Sequence, residues 1–137
     1  VTFPTEEQHA TAVMAALTAA NAVPLSLSEI TRRIADPARY GALPKFYTEV
    51  TVTRRFNGDG ARSGGGSGVR LVRITTRAVA ETEANAREMR RRTSDGLEGS
   101  SLSVVGFDST PVEFETEDPI APDDGWFSGL TTWTYAV

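Results

Sequence analysis

The sequence predicts an α+β domain, an antiparallel β-sheet with two main helices packed on one face. Three observations carry that prediction. Apolar residues recur at helical spacing in two segments, residues 10–20 and 86–97. Residues 46–56 and 69–80 instead alternate with a period of two and are rich in β-branched side chains. The resulting order is helix, strand, strand, helix, then short strands, which suits a sheet with helices gathered on one side.

The first helix opens at Thr5, a candidate N-cap with Gln8 three residues on to complete a capping box. Glu6 and Glu7 occupy the first turn, where the helix dipole favours negative charge. Ala10, Val13, Met14, Leu17 and Ala20 share a face, and Asn21 and Pro24 end the helix. Residues 25–44 read as irregular, or as one short helix around Ser28 to Ile34 that Asp36-Pro37 terminates. In the first long strand Phe46, Thr48, Val50, Val52, Arg54 and Phe56 share one side, with Tyr47, Glu49, Thr51, Thr53 and Arg55 on the other. In the second, Val72, Ile74, Thr76 and Ala78 share a side. Residues 57–68 between them are Gly/Ser-rich and predict a flexible hairpin tip. The second helix spans 81–95, with Thr82 as its cap, an apolar stripe of Ala86, Met89, Thr93 and Leu97, and Gly96 and Gly99 as stops. Leu102 and Val104, then Val112, Phe114 and Thr116, suggest short strands; residues 118–125 form a loop, and 126–135 a closing strand.

A length of 137 residues suits a single domain, 1–137, with one modest core. Hydrophobic residues make up 39% and charged residues 23%, which argues against disorder of the chain as a whole. The net charge of −4 gives no electrostatic reason to bind nucleic acid broadly. The absence of cysteine removes disulfides, thiolate nucleophiles and Cys-based zinc sites, and fits a reducing compartment. Residues 1–8 carry no positive charge, unlike a signal peptide, and the apolar run 12–23 is too short for a membrane span. Of 14 basic residues only Lys45 is a lysine, a bias read as GC-rich codon usage because the arginines are scattered.

No catalytic constellation emerges. His9 is the only histidine, has no partners at metal-ligand or triad spacing, and is expected on the surface at a helix start. Glu113, Glu115 and Glu117 alternate as the polar face of a strand and, with Asp118, Asp123 and Asp124, fit no calcium loop; an interaction surface is the competing reading. The glycine-rich run 64–68 lacks a P-loop's lysine and precedes a strand, so nucleotide binding is not expected; it reads as a mobile loop, with an assembly loop that orders on contact as the second reading. Arg87 and Arg90 to Arg92 read as a solvated helix face, or as ion-pair donors to a neighbouring subunit. Candidate interface residues are therefore Gly58, Asp59, Arg62, Gly65, Arg91, Glu115, Glu117, Asp123 and Trp133, and no cofactor or metal is expected.

The layout of the chain resembles the tail terminator proteins of long, non-contractile bacteriophage tails. The likeness lies in the alanine-rich helix at 10–20, the lead-in Leu43-Pro44-Lys45-Phe46, and the two long strands around a variable loop. It continues through the helix at 81–95, the segment 102–116 and the aromatic closing strand at 126–135. The resemblance implies a non-enzymatic virion protein, made in the host cytoplasm and located at the neck of the tail. It implies a homohexameric ring that caps the head-proximal end of the tail tube, stops its polymerisation and joins it to the head. The partners so implied are the major tail tube protein and a head-side connector, with DNA passing through the channel without sequence-specific binding and no membrane contact. A head-completion or connector protein is the rival reading, and a small ligand-binding domain the rival of another class.

Overall fold

Residues 3–55 and 71–137 are described in the computed structural model of the chain, apart from the side chain of Arg55. Helix α1 (Glu6–Ala19) begins as the capping box requires: Gln8 N–H donates to Thr5 Oγ1 at 3.2 Å, and Thr5 N–H donates to Gln8 Oε1 at 2.8 Å. Its buried face is His9, Val13 and Leu17. Strand β1 (Pro24–Ser26) follows, and Ser26 caps α2 (Leu27–Ala35) by accepting from Glu29 N–H. Asp36 ends α2 and caps α3 (Pro37–Tyr40), with Pro37 in the first turn where no N–H is needed. The stretch expected to be irregular or one helix is therefore a strand and two helices.

The long strands are β2 (Phe46–Arg55) and β3 (Leu71–Ala80), antiparallel with Phe46 opposite Ala80. Helix α4 (Glu83–Leu97) is capped by Thr82, and its stripe of Ala86, Met89, Thr93 and Leu97 is buried as expected. Gly96 is not a stop. It lies inside α4 against α1, where a Cβ would come within 2.8 Å of Ala20 Cβ and 3.2 Å of the Ala16 carbonyl oxygen. Strands β4 (Ser101–Val104) and β5 (Phe107–Pro111) form a separate hairpin through the turn Val105-Gly106, both at positive φ. Strands β6 (Glu113–Glu117), β7 (Ala121–Asp123) and β8 (Trp126–Ala136) complete the chain. The expected loop at 118–125 thus contains β7, paired with β8 through the two-residue turn Asp124-Gly125, again at positive φ.

The main sheet runs β1-β2-β3-β8-β6, with β7 also on the outer side of β8. All pairs are antiparallel except β1 with β2. The closing strand is thus central. Helices α1 and α4 cover one face, over a core that includes Val13, Leu17, Val50, Val72, Ile74, Leu97, Trp133 and Tyr135. A smaller cluster of Leu25, Ile30, Tyr47 and Val79, with Val23, Leu43 and Trp126 against it, fastens α2 to one end of the opposite face.

His9 is not a surface residue. Its first-turn position lies over the end of β8, where it is 1% exposed and its Nδ1 lies 2.8 Å from the Tyr135 hydroxyl. The stripe of α1 is therefore centred one residue before the alanines that marked it in the sequence. Trp133 belongs to the interior, 2% exposed, with its indole N–H donating to Thr76 Oγ1 at 3.2 Å.

Candidate functional site

Among the described residues, the part of the sheet face opposite α1 and α4 that α2 does not cover is mainly polar. Register aligns its side chains in rows across the strands. Thr51, Thr75, Thr132 and Thr116 lie opposite one another on β2, β3, β8 and β6. One row runs beside it through Thr53, Arg73, Thr134 and Glu113, and another through Glu49, Arg77 and Leu130. β-branched threonines suit a pleated surface and carry a hydroxyl that donates and accepts.

The charges on this face are mostly matched within the chain. Arg73 pairs with Glu115 at 2.9 Å, and Arg77 lies 3.8 Å from Asp123, which accepts from Ser128 Oγ at 2.9 Å. These ion pairs are about one-third exposed or more, so they position side chains more than they stabilise the fold. Two polar atoms of the face, Thr132 Oγ1 and Arg73 Nε, are buried without a hydrogen-bond partner among the described residues.

The nine expected interface residues separate. Glu115 and Asp123 lie on the open face. Glu117 does not share it, because a register shift between Phe114 and Thr116 breaks the alternation of the three glutamates. Glu117 instead meets Arg90 of α4 at 2.7 Å on the helix side. Arg90 also donates to the Asp118 carbonyl oxygen, passing over β8 at Gly129, where a Cβ would collide with its guanidinium. Arg91 is held by Glu88 at 2.6 Å and Asp95 at 2.8 Å on its own helix. Glu88, between Arg91 and Arg92, has its carboxyl pulled down to about 2 by hydrogen bonds from both guanidiniums. Trp133 is interior and presents no surface to a partner. Gly58, Asp59, Arg62 and Gly65 lie outside the described residues, as does the rest of 57–68. Sequence reasoning missed the threonine row: alternation assigned Thr51 to an outer face, but which threonines align depends on pairing partners that alternation does not specify.

Among the described residues, His9 and Tyr135 form a buried polar pair in the core. Burial lowers the His9 pKa, with Arg54 adding to the effect, and burial raises that of Tyr135. Burial thus favours the neutral form of each, and one proton lies between His9 Nδ1 and the Tyr135 hydroxyl oxygen. A cleft of about 700 Å³ between the end of α1 and α4 is lined by Asn21, Pro24, Arg91, Arg92 and Asp95 among others. Its two arginines are tied to Glu88, Asp95 and the Asn21 carbonyl oxygen. Among the described residues no three acidic or histidine side chains gather as metal ligands, and no helix is long and apolar enough to cross a membrane. No protein-family model matches the chain, and a search of curated proteins finds no match.

Proposed function

We propose that this chain is a non-enzymatic structural subunit that works by assembly, as the ring-forming tail terminator of a long-tailed phage. The observation that carries the reading is the uncovered sheet face. Its row of Thr51, Thr75, Thr132 and Thr116 is hydroxyl-bearing and flanked by ion pairs closed within the chain. Such a surface can be covered by another protein with few charges left without a partner. The order of elements, which resembles the layout of tail terminators, supports the particular assembly: six copies at the head-proximal end of the tube, joined to the head connector. The second reading, a head-side connector, uses the same surface and differs only in its neighbours.

The test is incubation of the purified chain with polymerising tail tube protein. A terminator binds one end of each tube and arrests growth at a few copies per tube. Unaltered tube growth with no end-bound chain removes the terminator reading. Binding to a head-side protein but not to tubes moves the assignment to the connector.

A further inference from the structure

Apart from Val105 in the β4–β5 turn, the exposed large apolar side chains among the described residues divide between the two edges of the sheet. α2 and α3, with the cap between them, also carry Glu29 and Asp36, fewer acids than their three arginines. On the β1 side, α2 and α3 expose Leu27 (59%), Ile34 (66%) and Tyr40 (38%). Leu27 and Ile34 are seven residues apart, two helical turns, and so share a face of α2. The guanidiniums of Arg32 and Arg39 lie over the Tyr40 ring at 5.5 and 5.1 Å. Among the described residues none of Arg32, Arg33 and Arg39 pairs with a carboxylate, whereas each arginine of α4 does. At the other edge, β6 is exposed along its length, including Phe114 at 47%. Glu113 and Asp118 there have no basic partner among the described residues, and β6 pairs on one side only.

We propose that copies of this chain join head to tail, the arginine-flanked apolar face of α2 and α3 on one copy seating on the acidic edge strand β6 of the next. The partner is a second copy because the two patches complement each other in both respects: unpaired arginines meet unpaired carboxylates, and Leu27, Ile34 and Tyr40 meet Phe114. One chain cannot make this contact with itself. Four strand spacings, about 19 Å, separate β1 from β6 across the sheet. A like-to-like dimer is disfavoured, since it would set arginines on arginines or carboxylates on carboxylates. A heterologous contact of this kind propagates until the rotation between copies closes a ring. It would also cover the open backbone of β6, which an uncovered edge strand leaves available for stray pairing. The inference rests on the ring reading and adds to it the surfaces that meet.

The experiment uses two charge-reversed full-length variants, an acidic one (Arg32→Glu with Arg39→Glu) and a basic one (Glu113→Lys with Asp118→Lys). All four positions are exposed, so thermal melting close to wild type confirms that each folds. Self-association is read by sedimentation and native mass spectrometry at low salt over rising concentration. Each variant alone presents like charges at the joint and should associate at least about a hundredfold more weakly than wild type. Mixed one to one, they should recover the assembly with the two variants alternating, and added salt should weaken it. Variants that assemble alone as well as wild type overturn this joint and leave the ring reading standing. Wild type and mixture both monomeric at every concentration overturn the joint, and the ring reading is then decided separately, inside the particle.

Discussion

Truncating Trp133 to alanine tests the claim that the closing strand is the centre of the core. The side chain is 2% exposed, packs edge-on against Phe114 at 5.9 Å and donates its indole N–H to Thr76. A buried tryptophan removes about 150–250 Å² from water. At about 25 cal/mol per Å² that is ~4–6 kcal/mol, part of which the remaining Cβ and local relaxation retain. Loss of the indole hydrogen bond adds about 1 kcal/mol. The expected destabilisation is about 4 kcal/mol, set against a total domain stability of about 5–15 kcal/mol. The melting temperature should fall by roughly 10–20 °C. Urea unfolding followed by far-UV circular dichroism gives the free-energy difference, and an unchanged slope shows that the compactness of the end states is unaltered. Trp133→Phe keeps most of the apolar area and should cost only about 1–2 kcal/mol. A loss below about 1 kcal/mol for Trp133→Ala would refute the placement of this side chain in the core. Normal melting with failed assembly would move its contribution to an interface.

Three other perturbations follow from the packing. The folded state depresses the pKa of His9 below its usual 6.5, so the unfolded chain binds the extra proton first, and stability should decline as pH falls through the range just below 6.5. In urea titrations at pH 7.5 and 5.5, His9→Gln should abolish that decline, and an unchanged slope in the variant would exclude His9 as its source. Gly96→Ala puts a methyl group into the α1–α4 contact and should cost about 1–3 kcal/mol in melting experiments, where an ordinary helical glycine would gain stability from the same change. Gly129→Ala should displace the Arg90 guanidinium from Glu117 and destabilise by about 1–2 kcal/mol. Much of that cost should vanish when Arg90→Ala is already present, and additive costs would show that the two residues do not compete for one space.

What the sequence disclosed was periodic. Thr5, Glu6 and Gln8 form a local capping device, and they start α1 where expected. The alternation of Val50, Val52, Val72 and Ile74 marks the buried face of the two long strands because one repeat covers the whole of each. Short or interrupted elements were hidden. β1 has three residues, too few to alternate, and β7 contains a proline at the edge of the sheet. Asp124-Gly125 carried a hairpin signal, but the two prolines before it suggested a loop. His9 was misplaced because a histidine beside an alanine stripe looks polar until Tyr135, 126 residues away, supplies its partner. The candidate site is legible only in part for the same reason. Glu115 and Asp123 were visible as acidic residues, yet the shift after Phe114 that sends Glu117 to the other face leaves no mark on the alternating sequence. The contrast between paired arginines on α4 and unpaired ones on α2 and α3 likewise depends on which carboxylates lie within reach.

The most direct test of the proposed function is the chain's position and copy number in a cryo-electron microscopy map of the phage particle. A ring of six copies at the junction of tail tube and head, each with its open sheet face covered by a neighbour, is the expected result. A single copy at that junction, or a particle complete without the chain, would contradict it.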